Sequence, residues 1–205
     1  MAKLKAPLMS LGASGQIGKA IVYFNWKGLD VAREYVTPAN PQTDPQNTQR
    51  GYLTAAVAKL HAAQAAADVV WLATEQAAYA LLGSLEATPR TWFNTICKQW
   101  LDQKKAGKIP NIWRGTVITA GVLKLTVKSF QFAESSEITN VFIHYGVSKS
   151  NLSSKWEASK AGLEAGHEIT GLTAGIKYYV QIRAKTPTTF LGSDSGIFYG
   201  TPTAA

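Results

Sequence analysis

The chain has 205 residues, of which 46% are hydrophobic and 17% are charged. This composition is typical of a folded protein and excludes extended disorder. Cys97 is the single cysteine, so an intrachain disulfide and a cysteine-based zinc site are excluded. The N-terminal "MAKLKAPLMS" has two lysines without an apolar core after them, and no apolar run reaches the roughly 18 residues that cross a membrane. We therefore expect no signal-peptide secretion and no membrane insertion.

The net charge of +8 raises the question of nucleic-acid binding. The basic excess is four on each side of Ala106, and the longest basic run is Lys104-Lys105. A nucleic-acid-binding protein usually concentrates its positive charge on one surface. The even distribution therefore does not predict a nucleic-acid partner.

Two early segments are rich in isoleucine, valine, tyrosine and phenylalanine. They run from Ile17 to Phe24 and from Leu29 to Val36, with the turn-forming "NWKG" (residues 25–28) between them. This pattern predicts a β-hairpin. Trp26 lies at its tip, where no core is available, and an exposed tryptophan suits a protein interface.

Three glycines in the stretch from Leu11 to Val22, namely Gly12, Gly15 and Gly18, resemble the fingerprint of extended short-chain dehydrogenases, which would imply an NAD(P) cofactor. That fingerprint must join a buried strand to a helix inside a parallel sheet. Pro7 interrupts the required strand, and the aromatic residues after Gly18 are poor helix formers. We therefore expect turns at these glycines and no cofactor, and an NAD(P) enzyme is the least favoured alternative.

The next segment, "TPANPQTDPQNTQR" (residues 37–50), contains three prolines. Proline fixes φ and biases the residue before it away from a helix, so an extended arm is predicted. The end of the arm also predicts a helix start, with Asp44 as N-cap and Pro45 in the first turn.

Helical periodicity follows the arm and continues to Lys105. In its first segment, Leu53, Val57 and Leu60 form one apolar stripe, and a second helix is predicted over residues 68–82.

The third helical segment has the clearest signals. Thr88 is the predicted N-cap and Pro89 the first helical residue, and Trp92, Ile96 and Trp100 then share one face. The single cysteine lies beside this face and is predicted to be buried and unreactive.

No catalytic constellation is visible in the sequence. Asp68, Glu75 and Glu86 form no obvious pair and are interpreted as helix caps or solvated helix faces. "GASGQ" does not match the G-x-S-x-G nucleophile elbow. Three histidines lack acidic or cysteine partners at metal-ligand spacing: His61, His144 and His167. The sequence therefore predicts neither an enzyme nor a metal site.

After "GKIPN" (residues 107–111) the periodicity changes to a two-residue alternation. Alternate apolar residues in the next segments are Leu123, Leu125, Val127, Val141, Ile143 and Tyr145. Turn residues recur at the spacing that a small antiparallel β-sandwich requires. The predicted fold class is α+β with two domains, in which residues 1–106 form a hairpin, arm and helical bundle and residues 107–205 form the sandwich.

The segment "HEITGLTAGIKYYVQIRAKT" (residues 167–186) resembles the second half of a fibronectin type III domain. The matching residues are Leu172, Gly175, Tyr178, Val180 and Ile182. The resemblance covers about residues 110–203 and implies a sandwich in which the Tyr178 hydroxyl bonds to backbone across a turn. The tryptophan common on the second strand of that family is absent between residues 121 and 132. Domains of this family usually act as spacers or adhesion modules.

A second resemblance covers about residues 15–100. A glycine-containing start, a Lys-Gly hairpin, a "P-x-N-P-x-T-x-x-Q-x-x-x-R" arm and tryptophan-containing helices follow one another. This order is similar to that of small structural proteins of tailed phages and prophages. The matching residues are Lys27, Gly28, Arg33, Pro38, Asn40, Pro41, Thr43, Gln46, Arg50, Trp71 and Trp92. The arm is the specific part of the match, and the resemblance implies a virion component.

These observations predict a non-enzymatic structural subunit of a phage or phage-like particle, assembled in the host cytoplasm and located in the virion. Its partners would be other copies of itself and other virion subunits. Residues 107–205 would be displayed as a decoration or adhesion module that contacts a host cell-surface glycan or protein. The candidate assembly residues are Trp26, Arg33, Tyr35, Pro38, Asn40, Pro41, Gln46 and Arg50. The alternative is a soluble carbohydrate- or protein-binding module outside any particle, with Trp156 and Tyr199 as stacking surfaces.

Overall fold

The computed structural model describes residues 2–3, 14–37, 39–40 and 42–204. They form four α-helices and three antiparallel sheets, which is the mixed α+β architecture that the sequence predicts. The chain divides into two compact units, Met1–Thr43 and Asp44–Ala205. No helix in the described part of the chain is long and apolar enough to span a membrane.

The first unit contains a four-stranded antiparallel sheet. Its strands are β1 (Ala2–Lys3), β2 (Gly15–Ile17), β3 (Ile21–Trp26) and β4 (Leu29–Glu34), in the order β1-β4-β3-β2. Lys27 and Gly28 join β3 to β4 with φ of 51° and 77°, and two positive φ angles are typical of the type I′ turn that fits strand twist. The predicted hairpin is therefore confirmed. Its first strand is wrong at the start, because Gly18, with φ of 55°, lies in the turn that separates β2 from β3.

The second unit begins with three helices and contains a fourth, shorter one. They are α1 (Asp44–Ala65), α2 (Ala73–Gly83), α3 (Trp92–Lys105) and α4 (Lys160–Ala165). The predicted start of the second helix at Asp68 is wrong, because the Asp68 carboxylate binds Arg114 instead of capping a helix. The predicted N-cap at Thr88 is also wrong, because the Thr91 hydroxyl accepts the hydrogen bond from the backbone nitrogen of Asn94.

The helices enclose a buried cluster that extends onto the following strand. Its members are Ala56, Leu60, Ala63, Tyr79, Ile96, Cys97, Trp100 and Ile112. The predicted buried face of α3 is confirmed at Ile96 and Trp100. Cys97 is buried as predicted, and burial raises the pKa of its thiol. The predicted stripe of α1 is wrong at Leu53, which is 46% exposed, because two small alanines beside Leu60 supply the close-packed face.

Two antiparallel sheets complete the second unit. Their strands are β5 (Asn111–Gly121), β6 (Lys124–Ala133), β7 (Asn140–Gly146), β8 (Ser154–Ser159), β9 (His167–Thr170), β10 (Tyr178–Thr186) and β11 (Phe198–Gly200). One sheet has the order β5-β6-β9, and the other has the order β11-β10-β7-β8. Buried residues of both sheets, such as Leu125 and Ile143, form one core. Leu123 departs from the predicted alternation because it lies in the β5–β6 turn with φ of 54°.

The predicted boundary between residues 106 and 107 falls inside the second unit. The reason is that the helices pack directly on the strands. The backbone nitrogen of Trp113 donates to the Tyr79 hydroxyl at 3.2 Å, and the backbone nitrogen of Ile197 donates to the carbonyl of Ala78 at 3.0 Å. Helices and strands therefore share one compact unit.

Candidate functional site

One face of the first unit is apolar and open. Cross-strand partners point to the same side of a sheet, and the register pairs Phe24 with Val31 and Trp26 with Leu29. Together with Val22 these residues form what we call the hairpin face. Val31 is buried, whereas Trp26 is 54% and Leu29 is 42% exposed. Much of this apolar surface is therefore accessible to a partner.

Arg33 adds a positive charge to the hairpin face. It is the cross-strand partner of Val22, and its guanidinium lies 5.3 Å from the centroid of the Phe24 ring. A cation above an aromatic face is attracted by the ring quadrupole. Two of the predicted assembly residues, Trp26 and Arg33, thus lie on one face of one sheet.

The predicted residues of the arm have different positions. Tyr35 follows β4, and its backbone nitrogen donates to the carbonyl of Ala20 at 2.8 Å. Asn40 is exposed, while Pro38 and Pro41 lie outside the described residues. The start of the arm is thus tied by its backbone to the sheet of the first unit.

The end of the arm motif belongs to a helix. Gln46 and Arg50 are exposed residues of the first two turns of α1, and the Thr54 hydroxyl donates to the carbonyl of Arg50 at 3.0 Å. Since α1 belongs to the second unit, the predicted assembly residues are divided between the two units.

Tyr178 occupies a corner of the second unit. Its hydroxyl accepts a hydrogen bond from the backbone nitrogen of Thr173 at 3.2 Å. In the intervening turn Gly175 has φ of 75°, which favours glycine, and its backbone nitrogen donates to the carbonyl of Pro202 at 3.0 Å. The other signature residues are buried: Leu172, Val180 and Ile182. The tyrosine therefore makes the contact to backbone that the sequence predicts.

A fully buried carboxylate joins α2 to β5. The side chain of Glu75 accepts hydrogen bonds from the backbone nitrogens of Leu72 at 2.8 Å and Thr116 at 3.1 Å. Burial raises the pKa of Glu75 to about 6, although these backbone donors and the nearby Arg114 charge oppose the rise. The sequence left two interpretations open for Glu75, a helix cap or a solvated helix face, and the structure shows the cap.

Arg114 holds the connection that precedes α2. Its terminal nitrogens donate to both oxygens of the Asp68 carboxylate at 2.9 and 2.6 Å and to the carbonyl of Val69 at 3.3 Å. The hydrogen bonds from Arg114 lower the pKa of Asp68. Sequence reasoning missed this pair, although a lone arginine in the apolar "NIWRGTVI" is a signal, because a buried charge needs a partner. The pairing of Arg114 on β5 with Asp68 therefore fixes the segment before α2 against β5.

The glycines of the dehydrogenase-like stretch lie in a strand–turn–strand segment. Gly15 belongs to β2 and Gly18 to the turn before β3, so no helix follows them in the described residues 14–37. Gly12 lies outside the described residues. Among the described residues, no group of three or more histidine, cysteine or acidic side chains is placed to hold a metal ion.

The aromatic residues of the alternative binding module lie on different strands of the β11-β10-β7-β8 sheet. Trp156 on β8 donates from its indole nitrogen to the Tyr145 hydroxyl at 3.2 Å. Tyr199 on β11 has the Lys177 ammonium 3.6 Å from its ring centroid. Because β8 and β11 are the two edge strands, Trp156 and Tyr199 do not form one stacking surface.

The fold and the sites define an α+β protein with an open apolar sheet face in one unit and helices packed on strands in the other. No protein-family model matches the chain. No curated protein matches it either.

Proposed function

We propose that this chain is a non-enzymatic structural subunit of a phage or phage-like particle. The first unit is the assembly element, and the hairpin face binds other copies and neighbouring virion subunits. The observation that carries the proposal is the hairpin face itself, a set of five apolar side chains of which only Val31 is buried.

Covering the hairpin face supplies a driving force for association. Fully burying one large apolar side chain contributes about 1.5–3 kcal/mol relative to exposure. Trp26 and Leu29 are exposed and Phe24 is half-buried, so most of the burial free energy of these side chains becomes available only when a partner covers them. Tryptophan and arginine also dominate the energy of many interfaces. A neighbouring subunit that packs on Trp26 and Arg33 would gain both the burial of apolar surface and the contacts of these two side chains.

The second unit suits a displayed module. Its two sheets around one core and the hydrogen bond between Thr173 and Tyr178 support the fibronectin type III resemblance of residues 107–205. In the particle this region is the decoration or adhesion module, and it contacts a host cell-surface glycan or protein. The resemblance covers the strands and does not extend to the helices of the same unit.

Incorporation into particles tests the assembly role. The double variant Trp26→Ser/Leu29→Ser removes two exposed apolar side chains from the hairpin face. The matched control, Ile17→Ser/Ile21→Ser, removes two side chains of similar exposure, 48% and 41%, from the opposite face of the same sheet. Each variant is supplied in trans to a phage whose own copy is deleted, and its copy number in purified particles is measured by mass spectrometry.

We expect the hairpin-face variant to fall about tenfold or more in copy number, since a loss of 1.4 kcal/mol of binding free energy already gives a factor of ten. The control variant should remain at the wild-type level. Equal incorporation of the two variants would overturn the proposal and would favour a soluble binding module that acts outside the particle.

A further inference from the structure

A polar cleft with a volume of about 370 Å³ lies in the second unit. One wall is formed by the α2–α3 corner, with Glu86 and Lys98. The other wall contains Arg183 on β10 and Asp194 in the segment before β11. Because Ile182 points into the core, Arg183 beside it points to the outer side of its sheet. The cleft therefore needs both the helices and the strands.

Asp194 is a carboxylate with unused acceptor capacity. Its side chain is 24% exposed, and its nearest cation, the Arg183 Nε, lies 3.5 Å from Oδ2. Neither carboxylate oxygen accepts a hydrogen bond from a described residue. Burial raises the pKa of Asp194, with the Arg183 charge opposing the rise. A desolvated acceptor is costly unless a donor meets it, so this carboxylate suits a ligand with hydroxyl groups.

Arg183 gives its wall of the cleft a fixed positive charge. Its Nε and Nη2 both donate to the side-chain oxygen of Gln181, at 3.0 and 2.8 Å, which holds the guanidinium in place. His144 is the cross-strand partner of Gln181. Burial lowers the pKa of His144, and the positive charges of Arg183 and Lys155 lower it further.

The two lysines of the cleft differ in their partners. The Lys98 ammonium lies 3.0 Å from the carboxylate of Asp102 and 3.5 Å from that of Glu86. Lys149 is an exposed lining residue of the cleft and forms no ion pair among the described residues. Lys149 is thus the lysine of the cleft whose charge no described carboxylate neutralises, and it can pair with a negatively charged ligand.

The lining of the cleft also offers apolar contact. Leu85 is 38% exposed and Leu152 is half-buried, and both line the cleft. A small-ligand site commonly combines such apolar contacts with a few converging polar groups. A sugar ring has the matching character, with hydroxyl groups at its rim and C–H groups on its faces.

We propose that the polar cleft binds a saccharide that carries a carboxylate group. Asp194 accepts hydrogen bonds from the sugar hydroxyls, Lys149 pairs with the ligand carboxylate, and Leu85 and Leu152 contact the C–H face of the ring. The inference rests on the proposed contact with a host glycan and not on the hairpin face. It places the site between the helices and the strands instead of within residues 107–205 alone.

Titration of the full chain with digalacturonic acid, followed by ¹H–¹⁵N NMR spectra, tests the proposal. The matched neutral probe is galactobiose. We expect saturable shifts at residues of the cleft and an affinity about tenfold higher for the acidic probe. The reason is that Lys149 makes one charge-assisted contact with one of the two carboxylates of digalacturonic acid, whereas galactobiose has no carboxylate. The absence of shifts at the cleft with the acidic probe would overturn the proposal, as would equal affinity for the two probes.

Two variants separate the assigned roles. Lys149→Ala should weaken binding of digalacturonic acid about tenfold and leave galactobiose unchanged, whereas Asp194→Asn should weaken both. Lys177→Ala is the control, because it removes the same charge from another exposed lysine, the one that lies over Tyr199. If Lys177→Ala and Lys149→Ala weakened the binding of digalacturonic acid equally, the effect would come from the net charge of the protein. That result would overturn the proposal. Failure of all binding would leave the particle-incorporation result unaffected.

Discussion

The two units bury their apolar residues in very different ways. In the second unit the side chains of Trp113, Leu125 and Ile182 are at most 2% exposed. In the first unit Val31 is the one buried side chain within residues 14–37, and Trp26 beside it on the same face is 54% exposed. A small sheet without a covering layer is marginally stable in water. The comparison teaches that the second unit carries its own core, whereas the first unit leaves most of its apolar hairpin face exposed. Under the proposed function, a partner subunit covers that face.

The largest effect is expected at Trp113, in the core of the second unit. Its indole nitrogen donates to the carbonyl of Ser193 at 2.8 Å, and its ring is 2% exposed. Trp113→Ala leaves a cavity and an unpaired carbonyl, so the free energy of unfolding should fall by about 4 kcal/mol. Urea denaturation measures this loss. A fall of less than about 1 kcal/mol, the typical value for any substitution, would contradict the claim that the second unit carries its own core.

The next effect is a pH dependence that comes from Glu75. Its pKa is about 6 in the folded protein, against an ordinary value of 4.5, so the folded state binds this proton more tightly than the unfolded state. The stabilisation is complete below about pH 4.5 and is lost as the pH rises through 6. The difference corresponds to about 2 kcal/mol.

Glu75→Gln isolates this contribution, because the amide has a similar shape and does not titrate. The wild-type free energy of unfolding, minus that of the variant, should fall by about 2 kcal/mol between about pH 4.5 and pH 7. Urea denaturation at several pH values gives the difference, from which the other titrating groups cancel. A difference that is constant with pH would show that the carboxylate is not buried against β5.

A smaller effect is expected from the corner tyrosine. Tyr178→Phe removes the acceptor for the backbone nitrogen of Thr173 and should cost about 1 kcal/mol of unfolding free energy. Tyr179→Phe is the matched control, since the Tyr179 hydroxyl has no hydrogen-bond partner among the described residues. If both substitutions changed the urea midpoint equally, the corner contact would contribute nothing to the second unit.

The smallest effect is expected at Trp26. In dilute solution, Trp26→Ala should change the free energy of unfolding of the second unit by less than about 0.5 kcal/mol, because the side chain is exposed and contributes to no core there. The measurement is the same urea titration that is applied to Trp113→Ala. Comparable losses for the two tryptophans would mean that the hairpin face already belongs to an intramolecular core.

Local sequence patterns predicted the elements whose signals lie within a few residues. The helical repeat of Ile96 and Trp100 identifies the buried face of α3, and the Lys27-Gly28 pair identifies the hairpin turn. The spacing of Gly175 and Tyr178 similarly identifies the corner contact. In each case residues only a few positions apart determine the feature, either through the helix period or through the geometry of a turn.

Contacts between distant segments could not be predicted in this way. Glu75 receives a hydrogen bond from Thr116, and Asp68 pairs with Arg114, across more than forty positions in each case. A burial pattern within one helix cannot reveal which strand will cover it. The domain boundary predicted between residues 106 and 107 follows a local change from helical to strand periodicity. That change does not reveal that the helices before it pack on the strands after it.

The native mass of the purified protein tests the central claim most directly. Light scattering over a roughly hundredfold range of concentration, with electron micrographs of the same fractions, reports self-association. We predict that the mass of the wild type rises with concentration and that Trp26→Ser/Leu29→Ser stays monomeric, while Ile17→Ser/Ile21→Ser behaves as the wild type. A wild type that is monomeric at every concentration, or a hairpin-face variant that assembles equally well, would contradict the claim that this face binds a second copy.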